Sequence, residues 1–84
     1  MLVVRQDWVE SELGWGIRPD GYSLHKNMDD LKDFINDHWR VMDKFYGNKV
    51  PDEYSRPSGN PIPFSVSQEI YKEVLESGNG IRYG

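Results

Sequence analysis

Apolar side chains in this sequence follow two rhythms, one of them helical. Met28, Leu31, Ile35, Trp39, Met42 and Tyr46 recur at steps of three or four, and Phe34, His38 and Phe45 widen the stripe. A stripe of that breadth predicts a long helix laid on a sheet. Its ends are marked as well. Asn27 offers an oxygen to the N–H near Asp30, Asp29 and Asp30 suit the positive end of the helix dipole, and Gly47 supplies the stop. A second, shorter helix is predicted from a Ser67 cap to about Ser77. Glu69 sits in its first turn, Ile70, Tyr71, Val74 and Leu75 form its buried stripe, and Gly78 follows.

The other rhythm is alternation. Leu2-Val3-Val4 opens a first strand, with Trp8 and Val9 near its end. Trp15 and Ile17 alternate with small or polar neighbours, and Pro19-Asp20-Gly21 then reads as a hairpin connection, either a tight turn or a bulged one, leading into Tyr22-Ser23-Leu24-His25. Between Asn48 and Pro63 the residues Pro51, Pro57, Gly59, Pro61 and Pro63 rule out regular helix and confine any strand to a sheet edge. An ordered loop pinned by Val50, Tyr54, Ile62 and Phe64 is expected there, followed by a short strand at Phe64-Ser65-Val66. Ile81 and Tyr83, two apart, suit a closing edge strand. Together these elements predict an α+β fold: a small, mainly antiparallel sheet, made of the N-terminal strand plus the hairpin, covered by one long helix, with a second, shorter helix at one end.

Composition narrows the picture. Eighty-four residues support one core, so residues 1–84 are read as a single domain, with three Trp, five Tyr and three Phe supplying much of its buried area. The chain has no cysteine and only two histidines, His25 and His38, so neither a disulfide nor a metal site is expected, and no cofactor is implied. No leader-like N-terminus and no membrane-length apolar run is visible, which suggests a cytoplasmic protein without membrane contact. The net charge is −4 and the ten Lys and Arg are dispersed, an arrangement that disfavours direct nucleic-acid binding.

Three constellations carry candidate chemistry. The first is the stretch Trp15 to His25, which gathers Trp15, Arg18, Asp20, Tyr22 and His25. Alternation sends Tyr22 and His25 to opposite strand faces, so the plainer reading is that Asp20 makes the turn, Arg18 pairs across it and Trp15 fills the core. The second is Tyr54 with Arg56, where a guanidinium beside an aromatic suits a carboxylate, a phosphate or a stacked base. Its plainer reading is an anchor and a local ion pair. The third is Asp29, Asp33 and Asp37, four apart on one helix, where like charges repel by a few tenths of a kcal/mol per pair. They form either a solvated face or an acidic docking stripe for a basic partner. No nucleophile elbow, phosphate loop or dinucleotide fingerprint is present, and no catalytic residue is assigned.

The strings Trp15-Gly-Ile-Arg-Pro-Asp-Gly-Tyr-Ser-Leu-His25, Pro51-Asp-Glu-Tyr-Ser-Arg-Pro-Ser-Gly-Asn-Pro61 and Ser77-Gly-Asn-Gly-Ile-Arg82 resemble those of small uncharacterised proteins of bacteria, their phages and mobile elements. That resemblance implies a compact stand-alone protein and assigns no activity. Three functional classes follow. The leading one is a small non-enzymatic binding or accessory protein, such as a phage- or mobile-element-type inhibitor, that presents its acidic helix face or its Pro-rich segment to a protein partner. The second is a binder of a nucleotide-like or carboxylate small molecule, built from Trp15, Arg18, Tyr22, His25, Tyr54 and Arg56. The third is a small enzyme with His25 as general base, which requires a carboxylate from Asp20 or Glu53 beside the imidazole.

Overall fold

A computed structural model describes residues 1–12, 16–47 and 54–84. Along the chain the elements are β1 (Leu2–Glu12), β2 (Gly16–His25), α1 (Met28–Tyr46), β3 (Ser55–Ser65), α2 (Gln68–Glu76) and β4 (Ile81–Tyr83). The four strands form one antiparallel sheet in the order β3-β1-β2-β4. This is the α+β architecture that the two rhythms predict. The helix caps are those expected: Asn27 Oδ1 accepts from the Asp30 N–H at 2.8 Å, the Gly47 N–H donates to the Asp43 carbonyl at 2.8 Å, and Ser67 Oγ accepts from the Ile70 N–H at 3.2 Å.

Strand alternation gives the sheet two buried faces, one of them rich in polar groups, and each takes a helix. On one face lie Gln6, Trp8, Ser23 and His25, against which α1 sets the ring of Phe34, 6.1 Å from Trp8 and 4.9 Å from His25. On the other face Val3 and Leu24 are buried with Val74 of α2. The short helix therefore covers one end of the opposite face, so the sheet there lies between two helices. Trp8 on one side and Val3 with Leu24 on the other leave neither face of β1 and β2 able to meet water without loss.

Pro19-Asp20-Gly21 does not form the hairpin turn. It lies inside β2, where the register steps from Asp7↔Tyr22 to Val9↔Pro19, so β2 carries one residue more than β1. That is a β-bulge, with Gly21 at φ 77°. A β-carbon on Gly21 would also collide with the Tyr83 carbonyl. Bulges and turns both call for a glycine at positive φ, so the local sequence is the same for the two. β1 likewise runs past Val9 to Glu12, and the β1–β2 connection falls outside the described residues.

The proline-bearing segment from Ser55 is a strand, not a loop, and it lies on the sheet edge where its prolines permit one. Met1 and Val66 exchange both backbone bonds, and narrow and wide pairs alternate along an antiparallel ladder. Val4↔Pro63 is therefore a wide pair, and the same alternation along β1 makes Trp8↔Pro57 and Val9↔Pro19 wide too. These prolines forfeit no ladder bond with β1, and they blunt the outer edges against strand addition. A second bulge separates Arg5↔Ile62 from Asp7↔Ser58, with Gly59 at φ 71°. The buried Gln6 amide fills it, donating from Nε2 to the carbonyls of Asp7 at 2.9 Å, Ser58 at 3.0 Å and Gly59 at 3.3 Å.

Of the expected loop anchors, Phe64 joins the core and Tyr54 packs edge-on to Trp39, whereas Ile62 is exposed and Val50 lies outside the described residues. On α1, Leu31 is buried and Ile35, Trp39 and Met42 are half-buried, but Met28, Phe45 and Tyr46 are exposed, Phe45 at 74%, and Leu75 of the α2 stripe is exposed as well. Among the described residues no helix is long and apolar enough to cross a membrane.

Candidate functional site

The face under α1 holds a chain of buried polar groups. Trp8 Nε1 donates to Ser23 Oγ at 2.8 Å, Ser23 Oγ lies 2.7 Å from His25 Nε2, and His25 Nδ1 lies 2.7 Å from the Asn79 carbonyl. The end groups fix the protons. An indole N–H only donates and a carbonyl only accepts, so His25 carries its proton on Nδ1 and the Ser23 hydroxyl donates to the Nε2 lone pair. A second proton on the ring would leave the Ser23 hydrogen without an acceptor. Burial lowers the His25 pKa, against the opposing influence of the Asn79 carbonyl and the Asp30 charge, in keeping with a neutral ring.

Ser23 and His25 thus have the hydrogen bond of a nucleophile and its base, yet both are fully buried. The Asp20 carboxylate is not the partner that a His25 base requires: both ring nitrogens are engaged by Ser23 and Asn79, and Asp20 is bound to Arg82. Glu53 lies outside the described residues. The pair ties β2 to the α2–β4 connection, and Asn79 extends the tie to α1 by donating from Nδ2 to Asp37 Oδ2 at 2.8 Å.

The accessible chemistry lies one layer further out, in a cleft of about 290 Å³ between α1 and β4. Phe34, Asp37, His38 and Val41 form its α1 wall, and Asn79 and Arg82 form the other. Arg82 shares the α1 face because it pairs with Ser23, and its guanidinium lies 4.4 Å over the Trp8 ring. Its Nη2 donates to the Asp20 carbonyl at 2.7 Å, to Asp20 Oδ2 at 2.9 Å and to Ser55 Oγ at 2.8 Å. His38 Nε2 lies 2.8 Å from the Ser55 carbonyl, so it bears the proton and Nδ1 is left as an acceptor. Burial lowers the His38 pKa; the Ser55 carbonyl opposes this and the Arg82 charge adds to it.

The six residues proposed for a ligand site do not converge. Arg18 is exposed and pairs with Glu10 at 3.2 Å. Tyr22 lies on the α2 face, stacked on Tyr83 at 5.2 Å with the Arg5 guanidinium 4.1 Å above it, while His25 is buried on the α1 face. Arg56 donates to Ser11 Oγ at 2.6 Å and stands 5.8 Å from the Tyr54 ring, and Trp15 is outside the described residues. In the acidic stripe Asp29 and Asp33 are exposed, whereas Asp37 faces Asn79 and also meets Arg40 at 3.2 Å. Asn79 and Arg82 were not among the sequence candidates. Both sit in a short Gly-flanked tail that carries no local sign of the cleft.

An apolar groove of about 320 Å³ lies elsewhere, between Leu2, Val4 and Met28 on one side and Pro61, Ile62 and Pro63 on the other. Among the described residues no group of three His, Asp or Glu side chains is placed to hold a metal ion. No protein-family model matches the chain, and no curated protein or solved structure is significantly similar to it.

Proposed function

We propose that this is a small non-enzymatic binding protein that engages a protein partner through the outer flank of α1. The observation that carries the reading is one row of residues, Asp29, Asp33, Asp37, Val41 and Phe45, spaced by four. Such a row drifts around a helix by about 40° per step, so Asp37, Val41 and Phe45 share one flank and the first two acids lead into it. Asp29 and Asp33 are exposed, Val41 is 51% exposed and Phe45 74%. A large aromatic left in water at the end of an acidic row suits a partner with a basic patch beside an apolar one. Charge then steers the encounter and the Phe45 ring supplies buried area. An inhibitor of the kind borne by phages and mobile elements would use a surface of this type.

The test is co-purification from the host with the tagged wild-type chain, a D29K/D33K variant and an F45S variant. Both variants are expected to lose the captured partner while remaining folded, F45S with the wild-type thermal midpoint and D29K/D33K with a slightly lower one, because Asp29 lies in the first turn of α1. Retention of the same partner by both would remove α1 as the contact surface.

A further inference from the structure

We propose that the cleft between α1 and β4 is a binding site for a small neutral molecule that carries a planar carboxamide or lactam group on an apolar body. The cleft shares Asp37 and Val41 with the partner flank, but the inference rests on a separate observation, what the cleft offers a guest. Arg82 lies over the Trp8 ring, and only its Nη2 is engaged; its Nε and Nη1 hydrogens have no acceptor among the described residues. Across the same space stands the Asp37 carboxylate, whose oxygens receive Asn79 and Arg40 and retain further lone pairs, with His38 left an acceptor at Nδ1. Phe34 and Val41 supply apolar walls.

Charge selects the guest. An anion drawn to Arg82 meets Asp37, and a cation drawn to Asp37 meets Arg82, so either brings a like-charge contact into a partly desolvated site. A group that sets a carbonyl beside an N–H satisfies both walls at once: the carbonyl accepts from Arg82, and the N–H donates to Asp37 or His38. Carboxamides have that edge, and so do the lactam edges of oxo-purines and oxo-pyrimidines.

Three probes of nearly the same shape separate the possibilities: benzamide is neutral, benzoate anionic and benzamidine cationic. In a ¹H–¹⁵N titration of the full chain, benzamide should shift the amides of Phe34, Asp37, His38, Val41, Asn79 and Arg82 saturably at millimolar concentration. Benzoate and benzamidine should bind at least roughly tenfold more weakly. A V41W variant, which fills the cleft from a half-exposed position, should abolish the benzamide shifts and keep the wild-type thermal midpoint. A D37N variant should admit benzoate. Binding of either charged probe as tightly as benzamide, an absence of saturable shifts, or benzamide binding unchanged in V41W would each overturn the proposal. Because Asp29, Asp33 and Phe45 do not line the cleft, failure here is separate from failure of the partner surface.

Discussion

Gly80 lies so close to the His25 ring that a β-carbon at position 80 would collide with Nδ1 and Cε1. The absent side chain lets the chain between α2 and β4 cross the imidazole and bring the Asn79 carbonyl to Nδ1. G80A should therefore overpack the site and displace that bond, costing about 1–3 kcal/mol. Gly78 is a useful control, since a β-carbon there meets open space and only its φ of 86° disfavours a side chain. Urea unfolding of the two variants decides the matter. If G80A loses no more stability than G78A, the contact with His25 does not constrain the fold.

Burial lowers the pKa of both His25 and His38 in the folded chain, while an unfolded histidine titrates near 6.5. Between the depressed folded values and 6.5 the unfolded chain binds more protons, so folding stability rises with pH across that window. Above 6.5 these two groups contribute their full stability, and acidification removes it as the pH falls toward their folded pKa values. Urea unfolding at a series of pH values should show this slope. H38Q should lessen it without abolishing it, because His25 is the more deeply buried of the two. A flat profile from neutrality down to pH about 5 would contradict the neutral His25 tautomer.

Asn79, silent in the sequence, meets His25 and Asp37 only because β4 pairs with β2, a contact across more than fifty residues. The same is true of Arg82 over Trp8, since neither residue has a local signature of the other. What local chemistry does encode was legible: the 3.6-residue period and caps of α1, the Ser67 cap of α2, and the edge position forced on any strand with prolines at 57, 61 and 63. The misreadings have one physical root. Gly21 and Gly59 at positive φ make bulges inside long strands, and nothing local separates a bulge glycine from a turn glycine. Phe45 misled for a related reason, because a helical period shows which residues share a face but not where the sheet beneath that face ends.

Gln6 is buried in the middle of β1 because the β3 bulge turns carbonyls inward that no strand can pair. Q6L keeps the approximate volume but leaves those acceptors without a donor, at a cost of about 1–3 kcal/mol. Q6E should be worse at neutral pH, since a carboxylate brings no donor to three carbonyls and buries a charge, and it should recover partly on acidification as the carboxyl gains a proton to donate. Chemical denaturation of the three proteins at two pH values tests both points. A Q6L variant as stable as wild type would mean that water satisfies the bulge unaided.

The apolar residues of α1 range from Leu31, 2% exposed, to Phe45, 74% exposed. Truncation should follow that difference in burial if packing on the sheet is what holds the helix. L31A removes a fully buried side chain and should cost about 2–5 kcal/mol, whereas V41S and F45S should change stability by no more than about 0.5 kcal/mol. A residue that contributes little to folding and still exposes a large apolar surface is the pattern expected where a second molecule completes the burial. Denaturation midpoints for the three variants, read beside their ability to capture a partner, separate the two roles. A loss of stability in F45S comparable to that in L31A would place Phe45 in the fold and withdraw it from the contact surface.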